Sequence, residues 1–310
     1  MNPKLPDVYH LSSEVAFALT RGTPLVALES AVITHGLPRP HNLELAREME
    51  NLIRAGGATP ATIALLRGKM AVGLSDEDLL SLAQNDEVTK VSLRNMGIGL
   101  ARGLSGGTTV AATLFTAHHS GIKVFATGGI GGIHRGNAFD VSADLNALAE
   151  HPVVVVCAGA KAILDLPATL EALETRGVPV IGFGTDDFPA FYSRSSGLPV
   201  DCRVDDPAEV AAIARAHWKA GHHGAILVGN PVPERDALDP ELIGSAIKAA
   251  IVEAELKCIS GAALTPFLLE QVNRVSAGKS MQANLALLRN NAKLAARIAA
   301  HLSSSNLVTL

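Results

Sequence analysis

Apolar runs of strand length recur along the chain, and each is followed by small or polar residues and then by a stretch with helical periodicity. The runs 153–156 and 178–181 are rich in β-branched residues and are bounded by Gly and Pro, a pattern typical of buried strands in a parallel sheet. The predicted strands are Pro24–Leu28, Lys123–Ala126, Val153–Cys157, Val178–Phe183 and Gly224–Val228.

Helical segments alternate with these strands. The stretch Ala162–Arg176 runs into Gly177, a helix C-terminal signal, so we expect a strand–helix–strand crossover over 153–183. Further helices are predicted at Asn42–Ala55, Asp76–Gln84, Pro207–Ala220, Pro240–Glu255 and Asn284–Leu302, the last with Asn284 as its cap. This order predicts an α/β fold with a mostly parallel central sheet flanked by helices. We expect a single domain over 1–310, with 231–240 as a candidate boundary between subdomains.

Composition excludes several classes of protein. Of 310 residues, 48% are hydrophobic and 18% charged, which supports a large core and argues against disorder. The 26 basic and 30 acidic residues give a net charge of −4 without a basic cluster, so nucleic acid is not an expected partner. Aromatic residues make up only 4%, which predicts an aliphatic interior and no platform for stacking bases.

The cysteines and the apolar segments bear on the compartment. Cys157, Cys202 and Cys258 are far apart in sequence, which fits neither a disulfide framework nor a structural zinc site and indicates a reducing compartment. The N-terminus lacks the basic and then apolar pattern of a signal peptide. No run approaches the roughly 18 apolar residues of a membrane span. We therefore expect a cytoplasmic protein without a membrane partner.

Two glycine-rich segments are candidate phosphate sites. Segment 127–136 holds five glycines in ten residues after a predicted strand, and His134 and Arg135 add cationic donors to its backbone amides. The alternative is a tight surface loop in which the glycines only permit positive φ. Segment 106–113 offers amides and three hydroxyls before a helical stretch, which fits phosphate or sugar oxygens or an ordinary capped helix start.

A lysine and a glutamate lie at the carboxyl ends of apolar strands. Lys161 follows the most hydrophobic run, where desolvation would lower its pKa and favour an amine that forms a Schiff base with an aldehyde sugar. The alternative is a lysine that reaches solvent from a helix N-terminus. Glu29 ends another apolar run, where burial would raise its pKa and suit a general acid, or where it would pair with Arg39 or Lys90.

Two polar segments remain. Asp140, Ser142 and Asp144 offer oxygen ligands for a hard cation such as Mg²⁺ or Mn²⁺, although a turn followed by a helix cap gives the same pattern. Segment 34–42 is a stiff basic loop with His35, Arg39 and His41, a candidate substrate clamp, with a helix cap at residue 42 as the alternative. Its histidines lack the i, i+4 spacing of a zinc protease.

These segments together resemble the pseudouridine-5'-phosphate glycosidase family. The similarity runs in a fixed order through most of 29–300. The segments that carry it are ALES (27–30), VITHGLPRPHN (32–42), GATPATIA (57–64), GGTTVAAT (106–113), TGGIGGIHR (127–135), SADL (142–145), CAGAK (157–161), TLEALET (169–175), NP (230–231), TPFLL (265–269) and NN (290–291).

The resemblance implies an indigoidine synthase A-like fold and a cytoplasmic, Mn²⁺-dependent homotrimer. Such an enzyme reversibly splits the carbon–carbon glycosidic bond of pseudouridine 5'-phosphate into uracil and ribose 5-phosphate. By the same resemblance Lys161 is the nucleophile, Glu29 the proton donor and Asp140 the Mn²⁺ ligand. The residues matched to substrate-binding positions are Lys90, Val110, Ser142, Ala143 and Asp144.

The chain departs from the family pattern at a few places. Ala31 and Asn95 stand where Thr and Asp are expected, and the stretch between His134 and Asp140 is shorter, which bears most on the metal assignment. Two other functions stay open. One is an indigoidine-type relative in a pigment or modified-nucleoside pathway, and the other is a sugar-phosphate binding protein without catalysis.

Overall fold

One large sheet runs through the molecule, and the computed structural model describes residues 5–257, 259 and 264–303. The strands are β1 (Tyr9–Leu11), β2 (Leu25–Glu29), β3 (Thr59–Leu66), β4 (Lys69–Val72), β5 (Thr89–Val91), β6 (Gly106–Thr108), β7 (Val124–Ala126), β8 (Ile133–His134), β9 (Asn137–Val141), β10 (Val154–Cys157), β11 (Leu164–Asp165), β12 (Val180–Phe183), β13 (Cys202–Val204) and β14 (Ile226–Gly229). The large sheet has the order β1-β4-β3-β2-β7-β10-β14-β12-β13, with β6 and β5 branching from β3. A small sheet has the order β11-β8-β9.

Helices cover the sheet. They are α1 (Ser13–Arg21), α2 (His41–Ala55), α3 (Asp76–Gln84), α4 (Leu93–Ala101), α5 (Val110–His119), α6 (Ala143–Glu150), α7 (Leu166–Thr175), α8 (Pro207–Lys219), α9 (Pro240–Leu256), α10 (Leu264–Val275) and α11 (Lys279–Ser303). A π-helical turn spans Val32–Gly36 and a 3₁₀ turn spans Glu234–Asp236. Among the described residues, no helix combines the length and apolarity that crossing a membrane requires.

The core is aliphatic and centres on the middle strands. Every residue of β10 is fully buried, as expected for a strand with neighbours on both sides and helices on both faces. Helix α11 packs against β2, β7 and β10, while α5 packs against α6 and β2. Pairing in the large sheet is parallel except for β3 with β4 and β3 with β6. The predicted α/β fold with a mostly parallel sheet is confirmed.

The five predicted strands are present within two residues of their expected bounds, and α2, α3, α8 and α9 match their predicted helices closely. Two details of the sequence prediction are wrong. Helix α11 begins at Lys279, so Asn284 lies inside it and is not a cap. Helix α7 begins at Leu166 rather than 162, because β11 comes first. The predicted strand–helix–strand crossover joins β10 to β12 in the same sheet, with β14 between the two strands.

Two of the three cysteines lie in the described part of the chain, and both are free. Cys157 is buried at the end of β10, and Cys202 is exposed in β13. Cys258 lies outside the described residues.

Helix α6 is anchored in the core by Leu145, whose side chain is fully buried. Replacing Leu145 with Ala removes buried methyl groups and leaves a cavity, so we expect the free energy of unfolding to fall by about 2–5 kcal/mol. Urea denaturation measures this change. Leu242→Ala on α9, where the leucine is 48% exposed, is the control and should stay within about 0.5 kcal/mol of the parent chain.

Candidate active site

The carboxyl ends of three neighbouring parallel strands meet at one cavity of about 260 Å³. Glu29 ends β2, a glycine segment follows β7, and Lys161 lies shortly after β10. Parallel strands place such ends at one edge of a sheet, where α/β proteins bind ligands. All eight site residues predicted from the sequence line this cavity: Glu29, Lys90, Val110, Asp140, Ser142, Ala143, Asp144 and Lys161.

The Glu29 carboxyl group is held by a neighbouring hydroxyl. Its side chain is partly exposed where it borders the cavity, and Oε1 accepts a hydrogen bond from Thr127 Oγ1. Burial raises the pKa of Glu29, and the charge of Asp144 adds to this, whereas Lys161, Thr127 and Lys90 oppose it. The carboxyl group therefore retains its proton to a higher pH than an exposed glutamate does.

Two ammonium groups share the cavity with Glu29. Lys90 lies in β5. Burial is the main cause that lowers its pKa, and the positive charge of Lys161 lowers it further, whereas the negative charges of Glu29 and Asp144 raise it. Lys161 is half-buried, and its backbone N–H donates to the Ile130 carbonyl at 3.0 Å. That bond places it in the turn between β10 and β11. The predicted alternative of a helix N-terminus for Lys161 is wrong, since α7 begins only at residue 166.

Asp144 joins the two candidate phosphate segments. Its Oδ1 accepts from the Ala111 N–H at 2.9 Å, in the first turn of α5, and its Oδ2 accepts from the Gly131 N–H at 2.7 Å. The side chain is buried. Ser142 caps α6 and accepts from the Asp144 N–H at 3.2 Å, so the capping alternative is correct for that serine. The Asp144 carboxylate thus fixes the cavity wall by binding backbone on both segments.

The glycine segment contributes backbone and His134 to the cavity, but Arg135 has another task. Gly128, Gly129, Gly131 and His134 line the cavity. Arg135 instead donates to the carbonyls of residues 164 and 162, at 3.0 and 3.3 Å. The prediction that Arg135 is a donor to a cavity ligand is therefore wrong. From the other segment Thr109 and Val110 reach the cavity, and Thr109 is the N-cap of α5.

From the basic loop 34–42, His35 and its neighbour Gly36 line the cavity, and Arg39 and His41 do not. His35 lies in the π-helical turn, and its Nδ1 is 2.6 Å from Thr34 Oγ1. Burial is the main cause that lowers the pKa of His35, and the positive charge of Lys90 lowers it further. Arg39 binds Asp86 at 2.6 Å and does not pair with Glu29.

The other predicted features of this loop are also wrong. His41 pairs with Glu44 at 3.3 Å, so it takes no part in a clamp. Asn42 donates to the carbonyls of Ile33 and Ala83, at 2.9 and 3.1 Å, and does not cap the helix.

Asp140 is the predicted metal ligand. It lies in β9, is half-buried and borders the cavity. Within the described ranges no group of three or more His, Cys, Asp or Glu side chains could hold a metal ion. The oxygens of Asp144 are already bound to backbone amides. The residues present therefore fit a hard cation that keeps most of its waters and takes one carboxylate, as Mn²⁺ and Mg²⁺ do, and do not fit zinc.

Sequence reasoning missed several residues of the cavity wall. They are Ala31, Val32, Ser92, Leu164, Phe191, Leu269, Asn284 and Leu288. Asn284 carried a signal, because it is a polar position in an Ala- and Leu-rich helix, but that signal was interpreted as a cap. Phe191 carried none, since it reaches the cavity through a loop in which its φ is +63°.

Comparison with known proteins decides the family. A family model described as indigoidine synthase A like protein matches residues 14–301. The chain is 54% identical over 295 residues to pseudouridine-5'-phosphate glycosidase of Caldanaerobacter subterraneus subsp. tengcongensis, covering 94% of this chain and 96% of that protein. The protein of the same name from Paracoccus denitrificans is 51% identical, covering 97% and 100%. The chain belongs to the pseudouridine-5'-phosphate glycosidase family.

Solved structures agree with this assignment. The prealnumycin C-glycosynthase AlnA, crystallised in complex with ribulose 5-phosphate, superposes with a TM-score of 0.91 at 38% identity, covering 98% of this chain and 100% of that one. An indigoidine synthase A-like protein from Thermotoga maritima superposes with a TM-score of 0.86 at 38% identity, covering 91% and 94%. The predicted family, its fold and the prediction that the chain is an enzyme are confirmed.

The glycine at position 131 is required by close packing. A Cβ there would lie 2.2 Å from Ser142 Oγ and 2.7 Å from Asp144 Oδ2. We expect Gly131→Ala to displace the glycine segment, break its hydrogen bond to Asp144 and lower the free energy of unfolding by about 1–3 kcal/mol. Gly97→Ala, at an exposed position of α4 with open space around its Cβ, should be neutral or stabilising. Urea denaturation of both variants tests this, and equal stabilities would contradict it.

Proposed function

We propose that the chain reversibly cleaves pseudouridine 5'-phosphate into uracil and ribose 5-phosphate. The observation that carries the proposal is the meeting of Lys161 with the Glu29 carboxyl group, whose pKa is raised by burial, in one cavity beside Lys90 and the glycine segment. The high identity to glycosidases of that name supports the same substrate. In this proposal the glycine amides and Lys90 bind the phosphate group.

The carbon–carbon bond of this substrate dictates the type of chemistry. Ordinary glycosidases use a pair of carboxyl groups, one of which protonates the leaving oxygen or nitrogen. The carbon–carbon bond of this substrate has no such leaving atom. A lysine offers another route. The Lys161 amine bonds to C1' of the ribose while the bond between C1' and the ring oxygen breaks. A proton released from Nζ goes to that oxygen, which gives an open-chain adduct whose nitrogen keeps a lone pair.

Cleavage then needs an acid. Glu29 delivers its proton to C5 of uracil, the Nζ lone pair forms the C1'=N imine, and the electrons of the C1'–C5 bond stay with the departing base. Water hydrolyses the imine to the aldehyde of ribose 5-phosphate and regenerates the amine. The raised pKa of Glu29 suits this role because the group must carry a proton near neutral pH.

The proposal includes the other features that come with the family resemblance. Asp140 and water would hold Mn²⁺, which would supply positive charge next to substrate oxygens. The substrate positions are Lys90, Val110, Ser142, Ala143 and Asp144, as the resemblance implies. We expect a homotrimer in the cytoplasm.

A second candidate has one observation in its favour. The similarity to a C-glycosynthase shows that the same fold accompanies formation of a carbon–carbon glycosidic bond. This chain would then join a pentose 5-phosphate to an aromatic ring other than uracil. Incubation with pseudouridine 5'-phosphate and Mn²⁺ separates the two, since only the first candidate releases uracil.

Covalent trapping tests the lysine step. With ribose 5-phosphate and sodium borohydride, we expect one reduced sugar phosphate per chain, mapped to Lys161 by mass spectrometry, because borohydride reduces an imine to a stable amine. Lys161→Ala should lose the adduct and lower uracil release at least about a thousandfold. Lys69→Ala, at the exposed start of β4, is the control. A protein that gains no sugar mass is a binding protein or uses another mechanism.

Replacement of Glu29 with Gln tests the acid step separately. We expect uracil release to fall about 10²- to 10⁴-fold, the range of general acid catalysis, since the amide has no proton to deliver. Adduct formation with ribose 5-phosphate should persist, because this sugar carries no uracil that needs to be protonated. Glu44→Gln, at the exposed start of α2, serves as the control. Loss of the adduct together with uracil release would contradict separate roles for the two residues.

A further inference from the structure

The proton donor of the proposed reaction is connected to a chain of buried hydrogen bonds that leaves the cavity. Thr127 follows β7 and is fully buried, and its hydroxyl donates to Glu29 Oε1. The strands explain the contact: Leu28 pairs with Ala126 in parallel register, so the next residue of each strand lies side by side. The Thr127 N–H donates to the Val156 carbonyl at 3.0 Å, which fixes its backbone to β10.

The backbone carbonyl of Thr127 is bound by one asparagine, and a second asparagine binds the first. Asn291 of α11 is fully buried, and its Nδ2 donates to the Thr127 carbonyl at 2.8 Å. Its Oδ1 accepts from Asn230 Nδ2 at 2.9 Å. The Asn230 backbone N–H in turn donates to the Cys157 carbonyl at 2.8 Å, so the chain of bonds connects the ends of β7, β10 and β14.

This arrangement favours one oxygen of Glu29 as the site of the proton. Oε1 accepts from the Thr127 hydroxyl, and the carbonyl oxygen of a carboxylic acid is the better acceptor, so a protonated Glu29 favours its hydrogen on Oε2. After the proton has been transferred, the same hydroxyl stabilises the carboxylate through a charge-assisted bond. A freely rotating carboxyl group has neither property.

We propose that Thr127 is the positioning residue of the proton donor, holding Glu29 so that Oε2 presents the proton to the base, and that Asn291 and Asn230 fix Thr127 for this task. The inference rests on the proposed function, because it assigns Thr127 a role only if Glu29 acts as an acid. It adds a second layer of residues to the site.

Thr127→Val tests the proposal because it removes the hydroxyl at nearly constant shape. We expect uracil release to fall roughly tenfold to hundredfold, the value of a hydrogen bond to a charged group. The Thr127 bond lowers the pKa of Glu29, so its loss raises that pKa. The limb of the pH–rate profile that falls as Glu29 ionises should therefore move to higher pH. Lys161, Lys90 and Asp144, which also act on Glu29, are the same in both proteins.

Two further variants isolate the hydroxyl. Thr127→Ser restores the donor and should return rate and pH profile close to those of the parent. Thr116→Val is the matched control, since Thr116 is a fully buried threonine whose hydroxyl has no partner among the described residues. It should change neither. If Thr127→Val is not recovered folded, Thr127→Ala carries the same expectation.

The outcomes distinguish the inference from the proposed function. Failure of the parent protein to release uracil or to form the borohydride adduct overturns the function itself. An active parent together with a folded Thr127→Val variant whose pH profile is unchanged overturns the inference, whatever its rate. Asn291→Ala should move the profile in the same direction by a smaller amount, because it loosens Thr127 without removing the hydroxyl.

Discussion

The parallel pairing of β2, β7 and β10 is the constraint on which the cavity depends. Ala126 of β7 pairs with Leu28 on one side and with Val156 on the other. All three strands end at this level or one residue beyond it, at the same edge of the sheet, so the acid, the hydroxyl that binds it and the turn toward Lys161 meet there. Backbone pairing and the burial of apolar side chains hold the strands in register, and a slip of one residue would turn the acid away from the cavity.

Burial and charge act against each other within this cavity. Loss of water favours the protonated form of Glu29 and the neutral form of Lys90, while each also senses the opposite charge of the other. The two backbone amides on Asp144 compensate the burial of that carboxylate without a further cation. The imine chemistry proposed above needs a protonated acid beside an amine with little water around it, and an aliphatic core with few charges favours such an environment.

Much of the fold and site follows from the sequence, for reasons visible in single residues. Strand β10 was predictable because a run of four valines bounded by Pro and Gly is typical of a buried strand. Glu29 and Lys161 were predictable because a charged residue at the end of such a run, or a few residues beyond it, lies near a strand end. The start of α11 was not, since Asn284 is equally compatible with a cap and with a cavity wall.

The hydrogen-bond partners of Arg135 and Asp144 could not be predicted from the sequence either. Both are polar residues in a motif that points to a ligand. Arg135 binds backbone carbonyls away from the cavity, whereas Asp144 lines the cavity and also accepts hydrogen bonds from backbone. Only the tertiary structure shows whether a donor faces a ligand or the protein. Strand β3 could not be predicted for a related reason, because its pairing with β2 and β6 depends on residues distant in sequence.

Helix α11 brings the last part of the described chain into the site. Asn284, Leu288 and Asn291 are spaced four and three residues apart and share one face, with the first two on the cavity and the third on Thr127. A fully buried amide costs free energy unless its polar atoms are paired, and those of Asn291 are paired with the ends of two strands. If α11 slipped by one residue, the amides of Asn291 and Asn230 and the carbonyl of Thr127 would lose these bonds. Buried polar pairing therefore specifies how the helix docks, and the docked helix in turn closes the cavity wall.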